Sequence, residues 1–404
     1  MKKELFHQMR RKIAKLWLDI NLQLTVVVVT GSYGKTSTVR AIAEVLSAQY
    51  SVNRTDLNLD TVYNLPITIL KTKIWNEVLV LEYGVDHKNE MDFHLSLVKP
   101  KIVVFTGITP VHSDEEHLGS LENIISEKRK LIEAVPENGF AVFNFDDENV
   151  RKIGQDFKGK KFFYGLDKEA DVWADKVKVS LAGTEFELHD GQEKFFLKTG
   201  LLGYPAVYTC LAAYVVSREE GVKREKIIEK LVQLEPLPGR LSVEPGPRGT
   251  VLIDDSRRAN PASTISGLKS FAQFPGRKVA VLGEMGELGV GKEKRHQEVG
   301  EKAAELGIDL IVGVGPLTKN ILEGARKKGL RESQLFWARD VIEAAEILGT
   351  ILKKDDLFYL KASLLRHLER IVFLLEGEKV CCTVVVCHHY DSCPTCPQFK
   401  KCLK

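Results

Sequence analysis

The stretch VVVVTGSYGKTST, Val26 to Thr38, leaves this chain few folds to choose from. Four β-branched apolar residues read as a short buried strand. Thr30 to Gly34 turn the backbone, and Lys35-Thr36-Ser37-Thr38 open a helix that continues as VRAIAEVLSA. Strand, glycine loop and helix in that order make a phosphate cradle. Glycines let backbone N–H groups approach an anion, the helix N-terminus adds partial positive charge, Lys35 reaches terminal phosphates and Thr36 holds Mg²⁺. Gly31, Ser32, Tyr33, Gly34, Lys35, Thr36 and Ser37 are thus the nucleotide-binding candidates. The first glycine of a usual Walker motif falls at Val29, so the loop is the tighter G-x-x-G-K-T. The bland alternative is an ordinary strand-to-helix turn.

A chain of 404 residues predicts two or three domains. A net charge of +3 gives no signature of a nucleic-acid partner. No apolar run reaches the roughly 18 residues of a membrane span. The N-terminus has no secretory leader pattern, so a cytoplasmic protein is expected. Residues 1–24 read as a basic amphipathic helix, with Leu5, Met9, Ile13, Leu16, Trp17 and Ile20 at helical spacing; the stripe is expected to pack on its own domain, and adhesion to a membrane surface is the alternative.

Beyond the cradle, EVLVLEYG is a second buried strand that ends near Glu82. A carboxylate at the carboxyl end of a parallel strand faces the ligand crevice of open α/β sheets, which makes Glu82 a magnesium ligand candidate. KIVVFTGI and Gly139 to Phe145 add two more strands. The alternation predicts a doubly wound, mostly parallel sheet over 25–238, with an antiparallel extension from Lys160 to Leu202. LEPLPGRLSVEPGPRG concentrates prolines and glycines and marks a boundary. A second α/β domain of Rossmann-like type follows over 239–377, and a Cys-rich tail over 378–404.

TGSYGKTST, NLDTVYNLPITIL, VLEYG, SEKRKLI, NFDD, LPGRL, IDDSRRANP, VLGEMGELG and LKAS, in this order, resemble the Mur ligase family, and within it the MurF type. The resemblance implies an amide-forming ligase that uses ATP and Mg²⁺ to join a small-molecule acid to an amine or dipeptide through an acyl phosphate, in cell-wall synthesis. It implies that Lys35, Glu82, His112 and Lys128 are catalytic, with Thr36, Glu82, His112 and a carbamylated Lys128 holding magnesium. On the helix reading EKRK, Lys130 is the competing lysine. Arg240, Asp254, Asp255 and Asn260 are implied on the nucleotide, and Asn58, Thr61, Lys361 and Ser363 on substrates. His296 matches a frequent family histidine and reads as a satisfied helix residue.

Departures limit the substrate reading. Only 25 residues precede the first strand, so the family's N-terminal UDP-binding domain of roughly a hundred residues is expected to be missing. The adenine-side stretch is Gly203-Tyr204-Pro205-Ala206-Val207-Tyr208-Thr209, without the family's asparagines, and Arg257-Arg258 replace a neutral pair. A ligase for a different acid and a non-catalytic nucleotide-binding partner are the alternatives. Six of the seven cysteines lie between Cys381 and Cys402, and Cys387, Cys393, Cys396 and Cys402 have spacing that suits a structural Zn²⁺ or an iron–sulfur cluster. The alternative is a reduced, metal-free tail.

Overall fold

A computed structural model describes the chain except for residues 1, 22, 57–60, 111–116, 287, 381, 383, 390–391, 398 and 400–404, and except for the side chains of 2–4. Two compact units emerge, one of residues 1–178, 184–200 and 204–235, the other of 179–183, 201–203 and 236–404.

The first unit opens with α1 (Lys2–Ile20), β1 (Thr25–Thr30), α2 (Lys35–Leu46), β2 (Val52–Arg54), α3 (Thr61–Lys71) and β3 (Val78–Tyr83). It continues through α4 (Glu90–Leu97), β4 (Ile102–Phe105), α5 (Leu121–Glu133), β5 (Phe140–Asn144) and α6 (Glu148–Asp156). β6 (Lys160–Gly165), β7 (Val172–Ser180), β8 (Gly183–Asp190) and β9 (Glu193–Thr199) precede α7 (Gly203–Glu219) and α8 (Arg224–Val232). The strands form one sheet in the order β2-β3-β1-β4-β5-β6-β7-β8-β9. From β2 to β7 the pairings are parallel. The central strands read VVVV, VLVL and IVVF because helices cover both faces, and Val28, Leu81, Val103 and Phe143 share one core cluster.

Two expectations need correction. The antiparallel extension does not begin at Lys160, since β6 pairs parallel with β5; antiparallel pairing is seen between β8 and β9, joined by the tight Gly191-Gln192 turn. Apart from Trp17, the apolar stripe of α1 does not pack inward. Leu5, Met9, Ile13, Leu16 and Ile20 are exposed, while His7 and Ala14 are buried, with Trp17 and Leu18 partly so. Ala14 lets the helix approach closely, and the Trp17 indole donates to the Thr72 carbonyl at 3.1 Å.

The second unit contains β10 (Ser242–Pro245), β11 (Val251–Asp255), α9 (Pro261–Ala272), β12 (Lys278–Gly283), α10 (Lys292–Glu305), β13 (Leu310–Val314) and α11 (Thr318–Lys327). β14 (Leu335–Ala338), α12 (Val341–Ile351), β15 (Leu357–Lys361) and α13 (Glu369–Leu375) complete it. Its sheet runs β10-β11-β15-β12-β13-β14, parallel except for β10. Separate apolar clusters line its two faces, with Phe271 and Tyr359 in one and Leu348 and Phe358 in the other.

Candidate active site

β1 delivers the chain to its turn at Thr30, in register with Tyr83 of β3 and Phe105 of β4. Gly31 has a φ of 151°, and a Cβ there would lie 2.1 Å from the Thr106 hydroxyl and 3.0 Å from the Gly107 carbonyl oxygen. No side chain fits. Gly34 is the left-handed N-cap of α2, with a φ of 75°. Between them the loop is clamped by its neighbours. The Thr106 hydroxyl lies 2.5 Å from the Tyr33 carbonyl, Ser32 N–H donates to the Gly107 carbonyl at 2.7 Å, and the Ser32 hydroxyl contacts the Thr109 backbone at 3.1 Å. Tyr33 packs over Gly107 and donates to Asp147 at 3.2 Å. Burial, then Asp147 itself, pushes the Tyr33 phenol above its ordinary range and keeps it a neutral donor.

Two buried lysines converge on this loop. Lys35, at the start of α2, donates to the Gly31 carbonyl at 2.9 Å; Lys128, from the inner face of α5, donates to the same oxygen at 3.3 Å. Lys130, two residues on, points elsewhere and pairs with Asp92 at 2.6 Å and Glu127 at 2.8 Å. Glu82 accepts the Thr36 hydroxyl at 2.8 Å and lies 3.9 Å from the Lys35 ammonium. Ser37 is half-buried in the first turn of α2. Thr61 accepts the Gly84 N–H at 2.8 Å, which ties the start of α3 to the end of β3. Asn58 and His112 lie outside the described residues.

Sequence reasoning missed two groups here. His94 of α4 is fully buried against Tyr83, its Nε2 3.1 Å from the Gly84 carbonyl and its Nδ1 without a partner among the described residues. Burial holds its pKa down at about 4, so the ring is neutral. Asp146 accepts the Tyr208 hydroxyl at 2.8 Å and the backbone N–H groups of Leu166 and Asp167. NFDD carried part of the family resemblance, and only the fold shows Tyr208 of α7 reaching Asp146.

In the second unit, parallel register sets Asp255 beside Lys361. The two are buried and 2.7 Å apart, and Tyr359, on the same face of β15, donates to the same carboxylate at 2.9 Å. Burial pushes Asp255 up and Lys361 down, and each draws the other back toward its charged form. Arg240 is close enough to act electrostatically on both. Asp254 accepts the Ser256 N–H at 3.0 Å, and burial raises its pKa to about 6. Asn260 caps the start of α9 by accepting the Ser263 N–H at 2.8 Å in a reciprocal capping box. Ser363 donates its N–H to the Glu284 carbonyl at 3.3 Å. Arg257 has a buried Nη1 without a partner among the described residues. His296 accepts the Met285 N–H at 3.0 Å and is held by the Lys292 carbonyl, a structural post under the GEMG loop.

The thiol set expected for zinc lies only in part within the described residues. Cys402 lies outside the described residues; the Cys393 thiol lies beside the ligand atoms of His367 and Glu369, all three within 4.8 Å of one another, with Cys387 close enough to act on it electrostatically and Cys396 packed beside it. Hydrogen bonds hold His367, Glu369 and Cys393 together: Cys393 N–H donates to Glu369 at 3.2 Å, and His367 bridges Glu369 and the His389 carbonyl at 2.8 Å each. Burial and the Glu369 carboxylate push the Cys393 thiol well up, which keeps it protonated.

Comparison with known proteins completes the picture. Residues 29–217 match the Mur ligase middle domain and residues 239–364 the Mur ligase glutamate ligase domain. The UDP-N-acetylmuramoyl-tripeptide–D-alanyl-D-alanine ligase of Bacillus subtilis is 31% identical over 366 residues, covering 90% of this chain and 78% of that protein. The Escherichia coli protein of the same name is 31% identical over 301 residues, 74% of this chain and 66% of the relative. Among solved structures, MurF from Acinetobacter baumannii superimposes with a TM-score of 0.83 at 26% identity, covering 92% of this chain and 81% of that one. MurF from Thermotoga maritima, solved with ADP, gives 0.81 at 27% identity, covering 92% and 84%.

Proposed function

The chain belongs to the Mur ligase family of ATP-dependent amide-forming ligases, as a member of MurF type, and we propose that it adds D-alanyl-D-alanine to UDP-N-acetylmuramoyl-tripeptide. One observation carries this reading: two buried lysines, a carboxylate and a hydroxyl surround a loop whose first glycine admits no side chain. Such a loop receives phosphates, and its cations neutralise charge on the group being transferred.

The tripeptide carboxylate attacks the γ-phosphorus of ATP, the bond to the bridging oxygen breaks, and ADP leaves. The amine of D-alanyl-D-alanine then attacks the acyl phosphate, loses a proton and expels inorganic phosphate. Lys35 orients the transferred group and offsets its charge. Thr36 and Glu82 present oxygen donors of the kind magnesium takes, so these residues fit the ion. Bound there, it would neutralise phosphate oxygens as a Lewis acid.

Two ammonium groups on one carbonyl oxygen repel each other, which favours Lys128 as the carbamylated residue. Carbamylation turns its charge negative and leaves Lys35 as the cation of the loop. In the second unit, the buried Nη1 of Arg257, without a partner among the described residues, favours an anionic group of nucleotide or acid near it. Such a reaction, drawing on ATP and a nucleotide-linked acid, belongs in the cytoplasm.

Phosphate release with ATP, UDP-N-acetylmuramoyl-tripeptide and D-alanyl-D-alanine tests the proposal, with mass spectrometry of the ligated product. Release with a different acid in a panel, and none with this one, moves the assignment to that acid. Tight ATP binding without release on any acid favours the non-catalytic partner.

A further inference from the structure

We propose that α1 and the loop after α3 form a docking face for an anionic lipid bilayer. The helix turns outward the side expected to be buried. Leu5, Leu16 and Ile20 are 69%, 62% and 68% exposed, and Phe6, Met9 and Ile13 stand on the same side. At about 100° per residue, these side chains lie opposite the buried His7 and Ala14. The stripe continues beyond the helix. Ile20 shares an open cavity of about 790 Å³ with Ile74 and Trp75, and Trp75 is itself 68% exposed.

Several fastenings hold the helix in this orientation. Besides the Trp17 indole, Arg11 donates to the Phe93 carbonyl at 2.9 Å, and the His7 and Tyr63 rings meet at 4.9 Å. The stripe therefore faces outward as a fixed feature of the first unit.

Charge selects the occupant. Residues 2–20 carry six Lys or Arg against Glu4 and Asp19. Arg10 and Lys12 flank the stripe on its two sides, Lys15 lies exposed beyond Lys12, and Lys73 adds an exposed cation near Ile74 and Trp75, while Lys71 is paired with Asp56 at 3.5 Å. An apolar stripe edged by cations, with a tryptophan at its end, suits a surface with an acyl interior and anionic headgroups. A second copy of the chain fits poorly. Two-fold pairing of the stripe would bring Arg10, Lys12 and Lys15 of both copies together, with only two acids on each helix to offset them.

Vesicle flotation of the full chain tests the proposal. Vesicles of phosphatidylcholine with about one-third phosphatidylglycerol should bind it about tenfold better than phosphatidylcholine alone, with the difference shrinking as salt rises. Ile13→Glu/Leu16→Glu, at exposed positions away from the cradle, should lower binding about tenfold with an unchanged melting temperature. Lys12→Glu/Lys15→Glu should remove the preference for the anionic lipid. Equal binding by the wild type and Ile13→Glu/Leu16→Glu overturns the proposal. So does a lipid-free dimer by sedimentation equilibrium that Ile13→Glu/Leu16→Glu dissociates, because the face would then belong to a second copy.

Discussion

At the carboxyl end of the first sheet, Lys35 and Lys128 both donate to the carbonyl of Gly31, whereas at the corresponding end of the second sheet Lys361 is held by Asp255 at 2.7 Å. Both places bury lysine, and they use it differently. In the second unit the register of β11 and β15 places an anion beside the cation, and Tyr359 supplies a further hydrogen bond to that anion. That arrangement completes itself. In the first unit the lysines bond the loop itself, Glu82 stands off at 3.9 Å from Lys35 while accepting Thr36, and two cations around a loop of backbone N–H groups suit a polyanion. What faces a buried lysine, as much as its burial, sets what it can do.

The contrast is open to direct attack. The largest effect should come from Lys35→Ala, which is expected to slow ATP-driven phosphate release about 10³-fold with little change in melting temperature. If Lys361 is instead part of a closed pair, removing its partner should strike stability. Asp255→Asn is expected to cost about 3 kcal/mol in urea unfolding, and the apolar double Asp255→Leu/Lys361→Met to recover most of it. Full turnover by that double variant would show that the pair serves architecture alone. Lys128→Ala should lower phosphate release about 10²-fold, while Lys130→Ala stays within about twofold. Equal losses would undo the assignment of Lys128 to the loop.

The smallest effect is one of pH. Burial raises Asp254 from 3.8 to about 6, so between these values the folded chain holds a proton that the unfolded chain has released. Its stabilising contribution is complete below about pH 4 and fades as pH rises through about 6. In Asp254→Asn, melting temperatures measured across that interval should lose this slope.

The cradle was legible because strand, loop and helix are contiguous, and each β-branched run of the two sheets announces its own burial. The joint order of the motifs gave the family for the same reason. Lys128 was harder to place. EKRK offers several charges in a row, and only the packing of α5 on the sheet aims one of them at Gly31. Helical spacing showed that α1 has two unlike faces without saying which face packs; Ala14, small enough for close approach, and Trp17, with its bond to Thr72, settled the matter against the larger stripe. β2 and β10, of three and four residues, carry too little pattern to register. The α4 segment EMDFHLSL escaped for a related reason, since its apolar residues mark no continuous side. In the tail, cysteine spacing gave no hint that Cys393 also sits by Glu369 and His367, residues brought to it by the hydrogen bond of its own N–H to Glu369.

Thr106 reaches the carbonyls of Thr30 and Tyr33, and Asn144 in turn donates to the carbonyl of Thr106 at 2.7 Å. Three adjacent strands thus act as the walls of a mould that sets before its guest arrives. Damage to an outer wall, at Asn144 for example, would be felt as a shorter residence time of the nucleotide, with every group that performs the chemistry still in hand.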